Sequence, residues 1–153
     1  MGIPEPLART WLQAALEEAR TGWEAGGIPV GSVIGDPRTG EIIARGHNQR
    51  VQKGDPTAHG EMDAIRKAGR RRDWHELVLV TTLSPCPMCA GTAVLLGFKQ
   101  VLIGEHETFQ GAEHWLEAAG IETTVVGCQD CIDLMTKMQR ERADLWAEDI
   151  AEP

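Results

Sequence analysis

This chain has few of the features that mark a membrane, secreted or nucleic-acid-binding protein. None of its 153 residues falls in a run approaching the roughly 18 apolar positions of a membrane span. The N-terminus has neither the charged start nor the continuous apolar core of a secretory leader, so a cytoplasmic location is expected. In that compartment the four cysteines read as thiols or metal ligands rather than as a disulfide framework. Basic residues are outnumbered, 15 Lys and Arg against 23 Asp and Glu, for a formal net charge of -8. Gripping a polyphosphate takes a basic stripe that displaces counterions. The one basic cluster, Arg66, Lys67, Arg70, Arg71 and Arg72, reads first as cations complementing a helix C-terminus. A nucleic-acid patch is the second reading. The expected partner is therefore a small neutral molecule, with no nucleic acid and no membrane. Repeats, low-complexity blocks and Gly/Ser linkers are also missing, which predicts one domain over residues 1–153.

What is present alternates between helix and strand patterns. Leu7, Trp11, Ala15 and Ala19 recur at helical spacing over residues 6–25, and Gly26-Gly27 ends that helix. Residues 30–34 and 41–46 read as strands joined by the turn Asp36-Pro37-Arg38-Thr39-Gly40. A polar loop over 48–57 precedes a helix starting near Ala58, with Met62, Ile65 and Ala68 spaced to face a core. Strands follow at 77–81, 101–103 and 123–126, with a helix over 86–96 between the first two. A last helix over 128–140 is expected to bury Ile132, Met135 and Met138. Such alternation argues for an α/β layered fold around one sheet.

Two short segments carry chemistry: His59-Gly60-Glu61 and Pro85-Cys86-Pro87-Met88-Cys89. One His and two Cys supply three ligands to a zinc ion and leave its fourth position open to water, which separates a catalytic site from a structural one. Each ligand segment would open a helix, where unpaired N–H groups and the dipole stabilise thiolates. Pro87 is tolerated in a first helical turn. Two thiolates and a neutral imidazole cancel the charge of the ion, so bound water is less acidified than at an all-His site. A general base is then needed, and Glu61 is the candidate. The competing reading is a structural zinc or ordinary buried cysteines. A closed site using Cys128 and Cys131 would leave His59 and Glu61 without a purpose.

The His-x-Glu and Pro-Cys-x-x-Cys pair is a signature of zinc-dependent nucleobase deaminases. At these residues the chain resembles the cytidine deaminase superfamily, and more narrowly the fungal-type zinc-dependent cytosine deaminases. The resemblance also runs through Gly26-Gly27-Ile28-Pro29-Val30-Gly31, Gly46-His47-Asn48, Gln52-Lys53-Gly54, Thr81-Thr82-Leu83-Ser84 and Trp146 with Glu148-Asp149-Ile150. Gly60, where many relatives carry Ala, points to this branch. The resemblance implies a three-layer α/β/α fold with a central five-stranded mixed sheet, and a homodimer. It implies one zinc held by His59, Cys86 and Cys89, with Glu61 as proton shuttle in hydrolytic deamination of a free nucleobase. Asn48 would hydrogen-bond the polar edge of the base and the Gly60 amide its carbonyl. The Ser84 carbonyl and Asp149 carboxylate would hold the exocyclic amine, and Phe109 and Trp146 would cover the ring. On sequence alone Asn48 reads equally as a turn residue, and either aromatic as plain core.

One position departs from that pattern: Ala147 stands where the fungal-type enzymes carry a second aromatic after the tail Trp. Cytosine is the first expectation, with 5-methylcytosine, 5-azacytosine, s-triazines, isoguanine and guanine as alternatives. A tRNA adenosine deaminase shares the zinc core, but binding a folded RNA calls for a basic surface. A zinc-stabilised module without catalysis would have no need of Glu61.

Overall fold

The computed structural model describes residues 2–153. Helix α1 (Glu5–Glu24) leads into the antiparallel pair β1 (Gly31–Gly35) and β2 (Ile42–His47). A single turn, α2 (Arg50–Lys53), breaks the polar loop before α3 (Gly60–Ala68). Then β3 (Val78–Leu83), α4 (Pro87–Leu96), β4 (Gln100–Glu105), α5 (Glu113–Ala118) and β5 (Glu122–Val125) alternate. The chain closes with α6 (Gln129–Glu141) and α7 (Ala143–Asp149).

The five strands form one mixed sheet in the order β2-β1-β3-β4-β5, with β1 antiparallel to both neighbours and β3, β4 and β5 parallel. Parallel neighbours need a crossover, and α4 and α5 supply one each. Both faces are covered, so β3 is buried along its whole length, apolar at Val78, Leu79, Val80 and Leu83 with Thr81 and Thr82 between. Side chains nevertheless divide by strand alternation. Val33, Val78, Val80 and Leu102 pack toward Trp11, Leu12, Ala15 and Leu16 of α1 and Cys131 of α6. Ile34, Leu79, Val101 and Ile103 pack on the other face with Ala64, Ala90, Ala93, Phe98 and Leu116, from α3, α4, α5 and the turn after α4. The result is the expected α/β/α sandwich. Gly31 is required for the first layer: a Cβ there would lie 1.9 Å from the backbone oxygen of Ala15.

Differences from the sequence expectation are local. Helix α3 buries Glu61, Asp63 and Ala64, while Met62, Ile65 and Ala68 are half-buried. Its inner face holds a polar clamp and the site described below, so the fully buried positions are not the apolar ones. In α6 Cys131, rather than Ile132, joins Met135 and Met138 in the interior. A third cluster of Ile28, Val30, Leu83, Met135, Met138 and Trp146 lies beneath α7 and ties the tail to the sheet.

Candidate active site

Two helix N-termini converge at the carboxyl end of β3. His59 is the N-cap of α3 and Cys86 the N-cap of α4, both in extended backbone conformation, with Pro87 as the first residue of α4. Cys86 Sγ accepts the backbone N–H of Cys89 at 3.5 Å, which folds the Cys-x-x-Cys turn so that both sulfurs face His59. His59 Nδ1 lies 3.3 Å from Cys86 Sγ and 3.7 Å from Cys89 Sγ. The three donor atoms fall within 4.8 Å of one another. Zinc with ordinary Zn–S and Zn–N bonds in a tetrahedron would space nitrogen and sulfur about 3.6 Å apart. The donor set fits that ion in chemistry and in spacing.

The electrostatics point the same way. A hydrogen bond from Cys89 draws the Cys86 thiol down to about 4, burial opposes the shift, and His59 adds to it. Cys89, the donor in that pair and deeply buried, moves up instead. Burial works against a charged His59, yet Asp149 and the Cys86 thiolate together raise it to about 10. The cluster thus strongly favours positive charge at its centre. Glu61, 3% exposed, is pushed up to about 7 by burial first and by the negative charge of Cys86 second. That value suits a group that must both take and give protons near neutrality.

A small, partly open cavity of about 20 Å³ adjoins these groups. Its wall includes His59, Glu61, Cys86, Asn48, Ser84, Phe109, Trp146 and Asp149. Eight of the ten residues expected from sequence therefore share one pocket; Cys89 sits behind Cys86, and Gly60 is off the wall. Gly60 packs against the strand entry instead, where a Cβ would approach Val30 O to 2.9 Å. Phe109 and Trp146 meet edge to face, 5.4 Å between ring centres.

Polar groups on the wall are held in fixed orientations. Asn48, on the cavity wall, accepts the N–H of Arg50 on Oδ1 at 2.9 Å, which leaves its Nδ2 with no protein acceptor among the described residues. Asp149 Oδ1 lies 3.0 Å from His59 Nε2 and 3.9 Å from Arg50 Nη1, ion-pair distances without hydrogen-bond alignment. That oxygen is buried and accepts no hydrogen bond. The cavity wall thus carries an unpartnered amide donor at Asn48 and a carboxylate at Asp149 paired with His59.

Sequence reasoning missed two kinds of residue. Val30, Leu83 and Ile150 complete the wall, but as ordinary apolar positions they give no signal. Glu113 and Glu105 act behind it. Ser84 Oγ donates to Glu113 Oε2 at 2.6 Å and accepts the N–H of Gly111 at 2.9 Å. The Glu105 carboxylate accepts the backbone N–H groups of Glu107 and Thr108, fixing the loop that carries Phe109. A single buried carboxylate has no spacing pattern by which sequence could reveal it.

Residues 6–105 match the family model of the cytidine and deoxycytidylate deaminase zinc-binding region. The chain is 43% identical over 144 residues to the cytosine deaminase of Candida albicans, covering 92% of this chain and 95% of that protein. It is 42% identical over 95 residues to a tRNA-specific adenosine deaminase of Aquifex aeolicus, covering 60% and 62%. The fold superposes on the guanine deaminase of Nitrosomonas europaea with a TM-score of 0.71 at 24% identity, covering 88% of this chain and 93% of that one.

Proposed function

Since this chain belongs to the cytidine and deoxycytidylate deaminase family and is a zinc-dependent hydrolytic deaminase of nucleobases, we propose that its substrate is free cytosine or a cytosine-like single ring. The observation that carries the proposal is one cavity wall that brings together Asn48, with an amide donor free of protein acceptors among the described residues, Asp149 and Glu61. A ring with a carbonyl, a ring nitrogen and an amine along one edge satisfies that arrangement. Adenine has no carbonyl to offer. Guanine and isoguanine present a similar edge, with a second ring that must find room against Val30, Leu83 and Ile150. Sequence and electrostatics both argue against RNA, since the chain carries a net charge of -8 and α7 covers the site.

In this reading His59, Cys86 and Cys89 hold the zinc. Bound there, the ion would supply a polarised, partly acidified water. Glu61 takes the proton of that water, delivers it to the ring nitrogen beside the attacked carbon and later protonates the departing ammonia. Asn48 Nδ2 and the Gly60 N–H, whose residue is off the wall but lies between the wall residues His59 and Glu61, would hold the ring carbonyl, on which negative charge would otherwise build unaided. The Ser84 carbonyl and Asp149 keep the amine in place as its carbon becomes tetrahedral. Phe109 and Trp146 cover the ring and exclude bulk water.

We extend the proposal to a homodimer in the cytoplasm. Helix α4 is apolar on nearly every side, yet Leu95 is 83% exposed and Val94 38%. A helix apolar all round belongs in an interior, and a second copy of the chain would supply one. Four cysteines without a disulfide framework suit a reducing compartment.

The test is ammonia release by zinc-loaded protein from cytosine, 5-methylcytosine, 5-azacytosine, isoguanine, guanine, cytidine, adenosine and a tRNA. Turnover concentrated on the single-ring bases is expected. Turnover confined to purines, nucleosides or tRNA would overturn the substrate assignment.

A further inference from the structure

The deaminase chemistry leaves one motif of the sequence unused: Cys128-Gln129-Asp130-Cys131, at the start of α6 on the sheet face opposite α3 and α4. Cys128 is the N-cap of α6 and is half-buried, and its N–H donates to Gly104 O at 2.8 Å. Cys131, one turn on, is fully buried, with its sulfur against β4 so closely that a Cβ at Gly104 would lie 2.8 Å from it. Both are free thiols.

The two positions have different surroundings. Cys128 borders an apolar groove of about 270 Å³ between α1 and the start of α6, with Ala8, Leu12, Leu16 and Val126 on its wall. A small reagent entering that groove reaches Cys128 and not Cys131. Burial pushes the Cys131 thiol up, and its hydrogen bond with Cys128 adds to the shift, so Cys131 stays protonated until its neighbour reacts. Helix geometry puts Cα atoms three residues apart about 5 Å from each other. That separation lies inside the range of roughly 4.4–6.8 Å that a disulfide spans.

We propose that Cys128 and Cys131 form a thiol–disulfide exchange site for low-molecular-weight disulfides, with Cys128 as the attacking sulfur and Cys131 as the resolving one. Cys128 thiolate attacks one sulfur of the oxidant, forming a mixed disulfide and expelling the first thiolate. Cys131 then gives up its proton to that leaving group and attacks Cys128 Sγ, expelling the second thiolate, which takes a proton from water. The protein loses two electrons and two protons, and one oxidant molecule becomes two thiols. The site is independent of the zinc cluster, whose cysteines lie on the other side of the sheet.

The experiment treats the full-length, zinc-loaded protein with glutathione disulfide, traps free thiols by alkylation and maps each cysteine by mass spectrometry. In wild type the peptide bearing both residues should lose the mass of two hydrogens and escape alkylation entirely, while Cys86 and Cys89 stay unlinked to it. Cys131→Ser should accumulate glutathione on Cys128, and Cys128→Ser should leave Cys131 unreacted. Should Cys131→Ser not fold, Cys131→Ala serves, and the wild-type result stands by itself. Wild type that keeps both thiols, or that stops at the mixed disulfide, would overturn the proposal.

Discussion

Replacing Trp146 with Ala tests whether the C-terminal helix is a cover docked by one side chain. Helix α7 has seven residues, and isolated helices shorter than about 12–15 residues are marginal in water. Its order must therefore come from docking. Trp146 is buried among Ile28, Val30, Leu83, Met135 and Met138 and meets Phe109 edge to face. The Arg50–Glu148 ion pair, 2.8 Å long but half open to solvent on the Glu side, adds at most about 1 kcal/mol. Truncating a buried Trp costs about 3–5 kcal/mol. The aromatic pair accounts for about 0.5–1.5 kcal/mol of that loss. At 1.4 kcal/mol per decade, the undocking equilibrium shifts by about two to three powers of ten. Hydrogen exchange should report α7 amides exchanging at least about a hundredfold faster, with β3 far less affected. The KM for the base should rise about tenfold or more, because the wall that covers the ring is then seldom in place. Unchanged protection of α7 with a KM within about twofold of wild type would refute the docking argument.

Three further outcomes follow from the same structure. Asp149→Asn should retain zinc but lose about 10- to 100-fold in kcat/KM, since a buried acceptor for the amine becomes partly a donor; metal analysis beside steady-state kinetics checks both halves. Asp73 is held down to about 2, chiefly by the Arg71 hydrogen bond and then by Arg38, with burial opposing. Its depressed value means stability present above the ordinary carboxylate value and lost as pH falls toward 2, so Asp73→Asn should flatten the acid limb of Tm between about pH 4 and 2. The effect will be small and salt-sensitive because the pair is exposed. Leu95→Glu should shift the protein toward monomer in sedimentation, as a charge on the apolar face of α4 opposes self-association.

Much of this site could be read from sequence because its chemistry demands residue types at fixed spacing. His59, Glu61, Cys86 and Cys89 come from two helix starts, and the proline flanking Cys86-x-x-Cys89 marks one of them. The α1 stripe and the β1–β2 hairpin were equally legible, because an apolar period of 3.6 or a Pro-Gly turn survives without tertiary context. Helices α2 and α5 were not, at four and six residues, too short to establish any period. Burial in α3 escaped for a different reason. Asp63 sits on its inner face, where its carboxylate accepts the His47 N–H and the Gln49 side chain, so a polar residue occupies a core position. That clamp flanks Asn48 and fixes the strand end from which it projects. Glu113 shares the same invisibility, since its hydroxyl partner Ser84 is brought near only by the fold, while Glu105 caps the backbone of its own neighbours, Glu107 and Thr108, in a local turn without a distinctive pattern.

The most direct test of the central claim is Glu61→Gln, which keeps the shape of the side chain and removes its ability to carry a proton. The account predicts zinc at the wild-type stoichiometry, bound cytosine, and kcat for ammonia release reduced about 10²- to 10⁴-fold. Retained zinc with near wild-type turnover would contradict it.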